Sequence, residues 1–183
     1  MEELEMLLLE CEDKMDKAIE ALKRELSTVR TGRANSSLLD SISIEYYGVM
    51  TPLKQISSIT IPEANQLYIK PFDKSSLKAI ERAILASPLG LTPQVDGVGV
   101  RLILPKMTEE RRRELTKVVG KMEEAGKVAI RNVRRDYNDD IKKLELPEDA
   151  EKEALADVQK LTDNKIVQVE KVSAQKSQEL MQI

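Results

Sequence analysis

The stretch "TEERRRELTKVVGKMEEAGKVAIRNVRRDYNDDIKKL", Thr108 to Leu144, decides the fold, because no proline interrupts it. It predicts one continuous helix, roughly 55 Å long at 1.5 Å per residue. Thr108 is a candidate N-cap, and Glu109 and Glu110 place negative charge at the positive end of the helix dipole. The residues predicted to form its buried side are Leu115, Val118, Met122, Val128, Ala129 and Val133.

Two further helices are predicted at the ends of the chain. Residues 1–29 contain neither glycine nor proline, and their apolar residues recur with the 4-3 spacing of a coiled-coil seam. A second apolar pattern follows Pro147 and runs towards the end. Three amphipathic helices bury their apolar sides best against one another, so residues 1–29 and 106–183 are predicted to form a three-helix bundle.

The segment between the first two helices, residues 30–105, has a different composition. It holds six of the seven prolines and four of the five aromatic residues. The runs "ISIEYY", "SSITI", "LYIKPF" and "VGVRLIL" are typical of strands, and "SSLKAIERAILAS" predicts a short helix. The fold class is therefore α+β with two domains, in which a small α/β domain is inserted between helices one and two of the bundle.

The two connections to the inserted domain are predicted to form a hinge. Both leave the same end of the bundle, and Gly32 gives one of them conformational freedom that a larger residue lacks. We therefore expect the inserted domain to change its angle. The hinge residues are Arg30, Thr31, Gly32, Arg33, Pro105 and Lys106.

Positive charge is concentrated on the second helix, although the chain has a net charge of −3. Residues 106–143 carry 12 basic and 8 acidic side chains, whereas residues 1–29 carry 4 basic and 9 acidic ones. At 100° per residue the cations form a stripe roughly 33 Å long on the side opposite the predicted buried face. The stripe consists of Arg113, Lys117, Lys121, Lys127, Arg131, Arg134 and Arg135.

This stripe has two interpretations. It is either an ordinary solvated helix face, stabilised by neighbouring acids, or a surface that binds the phosphate backbone of RNA or DNA. The arginines at one end favour the second, because a planar guanidinium pairs with two phosphate oxygens. Residue types alone do not distinguish RNA from DNA.

Several classes of function are disfavoured. The chain has no histidine, and its only cysteine, Cys11, lies on the seam of helix one, where a buried thiol acts as a small apolar group. No nucleotide-binding loop is present, "DGVGVRL" lacks the dinucleotide spacing, and "NDD" at residues 138–140 is more typical of a solvated helix face than of a metal site. We therefore expect no enzymatic activity, no cofactor and no metal.

Membrane insertion and secretion are also disfavoured by the sequence. No run of 18 apolar residues appears, and the first residues lack the basic segment of a secretory signal. A cytoplasmic protein that does not span a membrane is therefore expected. The seam of helix one could also indicate an oligomeric coiled-coil scaffold, which an inserted domain argues against, so we expect a monomer.

Blocks distributed over the whole chain resemble the ribosome recycling factor family. They are "VRTGRANSSLLD", "YYGVMTPLKQISSI", "LPKMTEERRRELTK" and "AIRNVRRDYND", followed by "DVQKLTDNKI" and "ELMQI". The resemblance implies an L-shaped molecule with an outline similar to that of transfer RNA. It also implies a translation factor that binds the post-termination ribosome and, with elongation factor G and GTP, promotes separation of the subunits, before initiation factor three keeps them apart.

The resemblance also assigns roles to residues. It places Arg131, Arg134 and Arg135 on ribosomal RNA of the large subunit, in the transfer-RNA binding region between the subunits. It places Arg30, Gly32, Arg33 and Pro105 at the hinge. GTP is then used by the elongation factor, and this chain acts as a wedge or lever.

Overall fold

The computed structural model describes residues 1–181. Its helices are α1 (Glu2–Ser27), α2 (Leu53–Ile56), α3 (Leu77–Ala86), α4 (Glu109–Lys142) and α5 (Glu148–Met181). Its strands are β1 (Ser43–Tyr46), β2 (Val49–Pro52), β3 (Ser57–Thr60), β4 (Gln66–Pro71), β5 (Gln94–Val95) and β6 (Val100–Ile103). Short 3-10 turns lie at Ser36–Leu39 and Lys74–Ser76. The predicted α+β fold, three long helices with a small sheet domain between the first two, is confirmed.

The described residues form two compact units. Residues 1–30 and 108–181 make up the helical unit, and residues 31–107 make up the sheet unit. The segments on either side of the sheet unit, residues 30–33 and 104–107, are irregular in structure. The predicted hinge residues therefore lie at or within three residues of the two unit boundaries.

The helical unit is a bundle in which α1, α4 and α5 all contact one another. Its core includes Met15 of α1, Ile130 and Ile141 of α4, and Val158 of α5, all with negligible exposure. Cys11 is also fully buried, and burial raises the pKa of its thiol to about 11. The thiol is therefore protonated at neutral pH and fills space as a small apolar group, as predicted.

The predicted buried side of α4 is partly wrong. Leu115 is buried, but Val118 and Val128 are 40% and 49% exposed. Buried α4 residues instead occupy a sector about 80° wide, centred roughly 80° round from Arg111. They are Leu115, Val119, Gly126, Ile130, Tyr137 and Ile141. The sector is displaced because two helices cover α4, so its buried side is set by the positions of both α1 and α5.

A lysine occupies a core position of α5. The Lys165 side chain is 8% exposed, and its Nζ lies 2.5 Å from Asp16 Oδ1 and 3.5 Å from Glu12 Oε1, both on α1. Burial acts to lower the pKa of Lys165, but the hydrogen bond and charge of Asp16 outweigh it and raise the pKa. These two ion pairs thus join α5 to α1 by charge at a position buried between the helices.

The sheet unit is built on antiparallel strands in the order β3-β4-β6-β5. Helix α3 packs Ile80 and Ile84 into a core shared with Leu67 of β4 and Leu102 of β6. Strands β1 and β2 form a separate hairpin through the two-residue turn Tyr47–Gly48. Strands β2 and β5 are additions to the predicted set.

The two ends of the sheet unit are bound to one turn. The Ala34 N–H donates to the Ala64 carbonyl at 2.7 Å, and the Leu104 N–H donates to the Asn65 carbonyl at 2.8 Å. The Asn65 side-chain amide also donates to the Leu104 carbonyl at 3.2 Å. The chain therefore enters and leaves this unit at adjacent points.

Candidate nucleic-acid interface

Helix α4 sets the geometry of the candidate site. As predicted, it begins at a capped end, where Thr108 Oγ1 accepts a hydrogen bond from the Arg111 N–H at 3.1 Å. Beyond the cap, five of the seven predicted cations are exposed and fall within a sector of about 80° that avoids the buried sector. They are Arg113, Lys117, Lys121, Arg131 and Arg135.

The arginine end of this exposed row is partly oriented by neighbouring amides. Arg135 Nη2 donates to Asn132 Oδ1 at 3.1 Å, one turn earlier on α4. Arg134 Nη1 donates to Gln159 Oε1 of α5 at 3.2 Å. Neutral amides leave the positive charge uncompensated, and no ion pair in the described part of the chain involves Arg131, Arg134 or Arg135. Three charged guanidinium groups are thus available to an anionic ligand.

The other end of the row contains one neutralised cation. Arg113 Nη2 lies 2.8 Å from Glu109 Oε1 in an exposed ion pair. Lys117 and Lys121 are exposed, and within residues 1–181 neither forms an ion pair. An exposed pair such as Arg113–Glu109 is weak and is screened by salt, so Arg113 can still exchange its partner for a phosphate.

Lys127 has a different environment from the rest of the predicted set. Its side chain is 16% exposed, and its Nζ lies 3.2 Å from Glu170 of α5, 3.5 Å from Glu123 and 3.8 Å from Glu124. The hydrogen bond to Glu170 raises its pKa. Binding a phosphate would require Lys127 to break these ion pairs, so it is the least accessible member of the predicted set.

An apolar side chain lies within the cationic row. At 100° per residue, Val128 falls between Lys121 and Arg135 in angle, and it is half exposed. Nucleic-acid backbones present sugars as well as phosphates, and a valine offers an apolar contact to the sugar. This explains why an exposed valine among cations is compatible with the candidate site.

The predicted hinge residues adopt an irregular backbone. Gly32 has φ +75°, a conformation that glycine adopts without strain. Next to it Thr31 is buried, and its hydroxyl accepts a hydrogen bond from the Arg33 N–H at 3.4 Å. Pro105 and Lys106 are exposed.

Comparison with known sequences identifies the family. A sequence model of the family described as "Ribosome recycling factor" matches residues 22–181. The chain belongs to the ribosome recycling factor family.

Relatives and solved structures agree with this assignment over nearly the whole chain. The ribosome-recycling factor of Acholeplasma laidlawii is 59% identical over 182 residues, covering 100% of this chain and 99% of that protein. The Bacillus subtilis ribosome-recycling factor is 52% identical, covering 97% and 98%. The solution structure of a ribosome recycling factor is 42% identical, with a TM-score of 0.81 and complete coverage of both chains.

A second solved structure gives a functional context. It contains models for the Thermus thermophilus ribosome recycling factor and the Escherichia coli elongation factor G bound to the Escherichia coli post-termination complex. The matching chain is 42% identical, with a TM-score of 0.63, and the match covers 97% of this chain and 98% of that one.

Two other kinds of site receive no support within the described residues. Over residues 1–181, no group of three or more His, Cys, Asp or Glu side chains is arranged to hold a metal ion. In the same part of the chain, no helix is both long and apolar enough to cross a membrane.

Sequence reasoning missed the residues that orient the arginines of the candidate site. Asn132 precedes Arg135 by three residues, a spacing that brings side chains together on a helix, so the sequence did contain that signal. Gln159 lies on another helix and is itself bonded to Asp163 at 2.9 Å. Only the packing of α5 against α4 reveals its contact with Arg134.

Proposed function

We propose that this chain binds the post-termination ribosome and, together with elongation factor G and GTP, promotes separation of the subunits. Membership of the ribosome recycling factor family carries this proposal. It is supported by the similar chain that has been placed with elongation factor G on a post-termination complex. The protein acts in the cytoplasm as a monomer, before initiation factor three.

The exposed row on α4, together with the half-buried Arg134 next to it, is the docking surface in this proposal. Arg131, Arg134 and Arg135 contact ribosomal RNA of the large subunit, in the transfer-RNA binding region between the subunits. An exposed edge of arginines and lysines on a rigid helix supports this role, because phosphates recur regularly along an RNA backbone. Lys117, Lys121 and Arg113 extend the docking surface along α4.

The energy for subunit separation comes from the partner. The sequence has no nucleotide-binding loop of the GxxxxGK[ST] type, so GTP hydrolysis is assigned to elongation factor G. In this proposal the chain is not an enzyme and holds no cofactor of its own. It transmits force from the elongation factor to the contacts between the ribosomal subunits.

Light scattering tests the proposal directly. Post-termination ribosomes are mixed with this protein, elongation factor G and GTP, and splitting is followed as a fall in scattered light. We expect a fall only when all three components are present. No fall with an elongation factor from a matched species would contradict the proposed function.

In this proposal the hinge transmits force between the two units, and substitution of Gly32 tests that role. Replacing Gly32, which has φ +75°, by valine imposes a backbone strain of roughly 1–3 kcal/mol on the connection. We expect the splitting rate to fall about tenfold, while affinity for large subunits is retained because the α4 surface is unchanged.

A matched control distinguishes an effect on the hinge from an effect of backbone strain in general. Gly90 has φ +68°, lies in the sheet unit about 14 residues along the chain from the nearer connection and has open space around a Cβ built on it. Gly90→Val introduces the same kind of strain and should leave splitting near the wild-type rate. If Gly32→Val also splits ribosomes at that rate, the connection does not transmit force.

A further inference from the structure

The β1–β2 hairpin ends in a side chain that its turn does not favour. Tyr47 has φ +50° and Gly48 has φ +80°, the signs expected of a type I′ turn. The first of these positions favours Asn, Asp or Gly, because a larger side chain is strained there. Tyr47 is nevertheless 83% exposed, so it contributes little to the core. The fold alone does not explain an aromatic residue at this tip.

Tyr47 forms one wall of a shallow depression. Its ring meets that of Tyr46 edge to face, with the ring centroids 4.5 Å apart. The depression has a volume of about 200 Å³, enough for the end of one long side chain. Its other lining residues are Glu45, Asp73, Ser75, Ser76 and Ala79.

The depression is negatively charged. Its lining includes the carboxylates of Glu45 and Asp73 and no lysine or arginine. Asp73 Oδ1 accepts from the Ser75 hydroxyl at 2.8 Å and from the Ser75 N–H at 3.0 Å, and these bonds lower the pKa of Asp73. Asp73 is therefore ionised at neutral pH. Among the described residues its second oxygen, Oδ2, has no hydrogen-bond partner, which leaves it available to a ligand.

Exposed apolar side chains adjoin the depression along the chain. Val49 and Met50 follow the turn on β2, and Phe72 precedes Asp73; all three are largely exposed. Aromatic and methionine side chains are enriched in protein–protein interfaces, whereas carboxylates repel the phosphates of nucleic acids. The surface therefore suits a protein partner better than ribosomal RNA.

We propose that this hairpin pocket, formed by Glu45, Tyr46, Tyr47, Asp73 and Ser75, docks a protein partner by receiving one of its arginine side chains. A guanidinium matches the pocket in two ways: it pairs with carboxylates through its planar fork, and it stacks on aromatic rings. Exposed Val49, Met50 and Phe72 complete the contact around it. The proposal rests on the proposed function, because the partner is met on the post-termination ribosome.

Site-specific photocrosslinking tests this proposal. Val49 is replaced by p-benzoylphenylalanine, which keeps the pocket itself intact, and the labelled protein is irradiated on post-termination ribosomes with elongation factor G and GTP. We expect a covalent adduct to a protein, with an arginine near the site of attachment identified by mass spectrometry. An adduct to ribosomal RNA, or no adduct while splitting proceeds normally, overturns the proposal.

Neutral variants test the role of charge. Asp73→Asn keeps a side chain able to accept the bonds of Ser75, and Glu45→Gln changes an exposed position, so both variants are expected to fold. Together they should lower the adduct yield at limiting protein concentration about tenfold. Glu63→Gln, which neutralises an exposed carboxylate outside the pocket, should leave the yield unchanged. Equal yields from all the variants contradict the arginine assignment.

A charge exchange completes the test. Asp73→Arg should abolish the adduct, and changing the identified partner arginine to aspartate should restore it. Failure of this rescue overturns the pairing. Because splitting is measured on the same samples, failure of the pocket proposal is distinguished from failure of the proposed function, which would abolish splitting by the wild-type protein.

Discussion

Reversing the charge of Arg131 and Arg135 together is expected to weaken binding to large ribosomal subunits about 100-fold. Each exposed guanidinium that bonds to a phosphate contributes roughly 1.5 kcal/mol, so loss of both contacts costs about 3 kcal/mol, which is on the order of 100-fold in affinity. Both side chains are exposed, so the change should not disturb the bundle. Co-sedimentation with purified subunits at several salt concentrations measures the effect.

The salt dependence identifies the type of contact. Loss of two phosphate contacts should reduce the slope of log affinity against log salt by roughly two. The control is Lys17→Glu with Lys23→Glu on α1, which makes the same change in net charge at exposed positions outside α4. Equal weakening by both double variants would show that total charge, and not the α4 surface, controls docking.

Replacing Gly126 by leucine is expected to destabilise the helical unit by about 2 kcal/mol. A Cβ at Gly126 would lie 3.1 Å from Leu22 Cδ2 and 3.5 Å from Val169 Cγ1, so all three helices meet at this residue. A larger side chain must push them apart, at roughly 1–3 kcal/mol, which the better helix propensity of leucine offsets only in part. Urea unfolding followed by circular dichroism measures the change.

Gly120 provides the matched control on the same helix. Nothing lies within 4 Å of a Cβ built there, so Gly120→Leu should gain about 0.8 kcal/mol from helix propensity without steric conflict. The two variants should therefore differ by about 3 kcal/mol in the free energy of unfolding. Equal stability would mean that the close approach at Gly126 does not limit packing.

The long helices could be predicted because each one contains a complete local signal. Proline-free runs with apolar residues at helical spacing define α1, α4 and α5, and Thr108 marks the start of α4. The buried side of α4 was harder to predict, because apolar residues such as Val118 lie outside it and Gly126 lies within it. A glycine gives no apolar signal, although it permits the closest approach of neighbouring helices.

The burial of a charged residue in the helical core was also missed, because its partners lie on another helix. Lys165 lies at the seam of α5, seven residues after Val158 and four before Val169, so its spacing indicates burial while its charge indicates exposure. The carboxylates that decide between the two belong to α1. Charge partners on a distant segment cannot be inferred from local pattern.

The candidate site was partly visible in the sequence. The angular position of the cations on α4 placed Arg131 and Arg135 on the exposed side. The same arithmetic did not reveal that Glu170 of α5 covers Lys127. The hairpin pocket was not predicted either, because it brings β1 together with the start of α3, two segments that share no sequence pattern.

The bonds that join Ala34 to Ala64 and Leu104 to Asn65 bear on how the bundle is assembled. Helix α4 must find α1 across an insertion of roughly 80 residues, and closing so long a disordered loop has a large entropy cost. Once the insertion has folded, the hydrogen bonds at its two ends reduce that loop to about ten connecting residues, which lowers the entropy cost by roughly 2 kcal/mol. The insertion leaves the ribosome during synthesis before α4 does. Once folded, it holds the ends of α1 and α4 close together and so speeds the folding of these two helices.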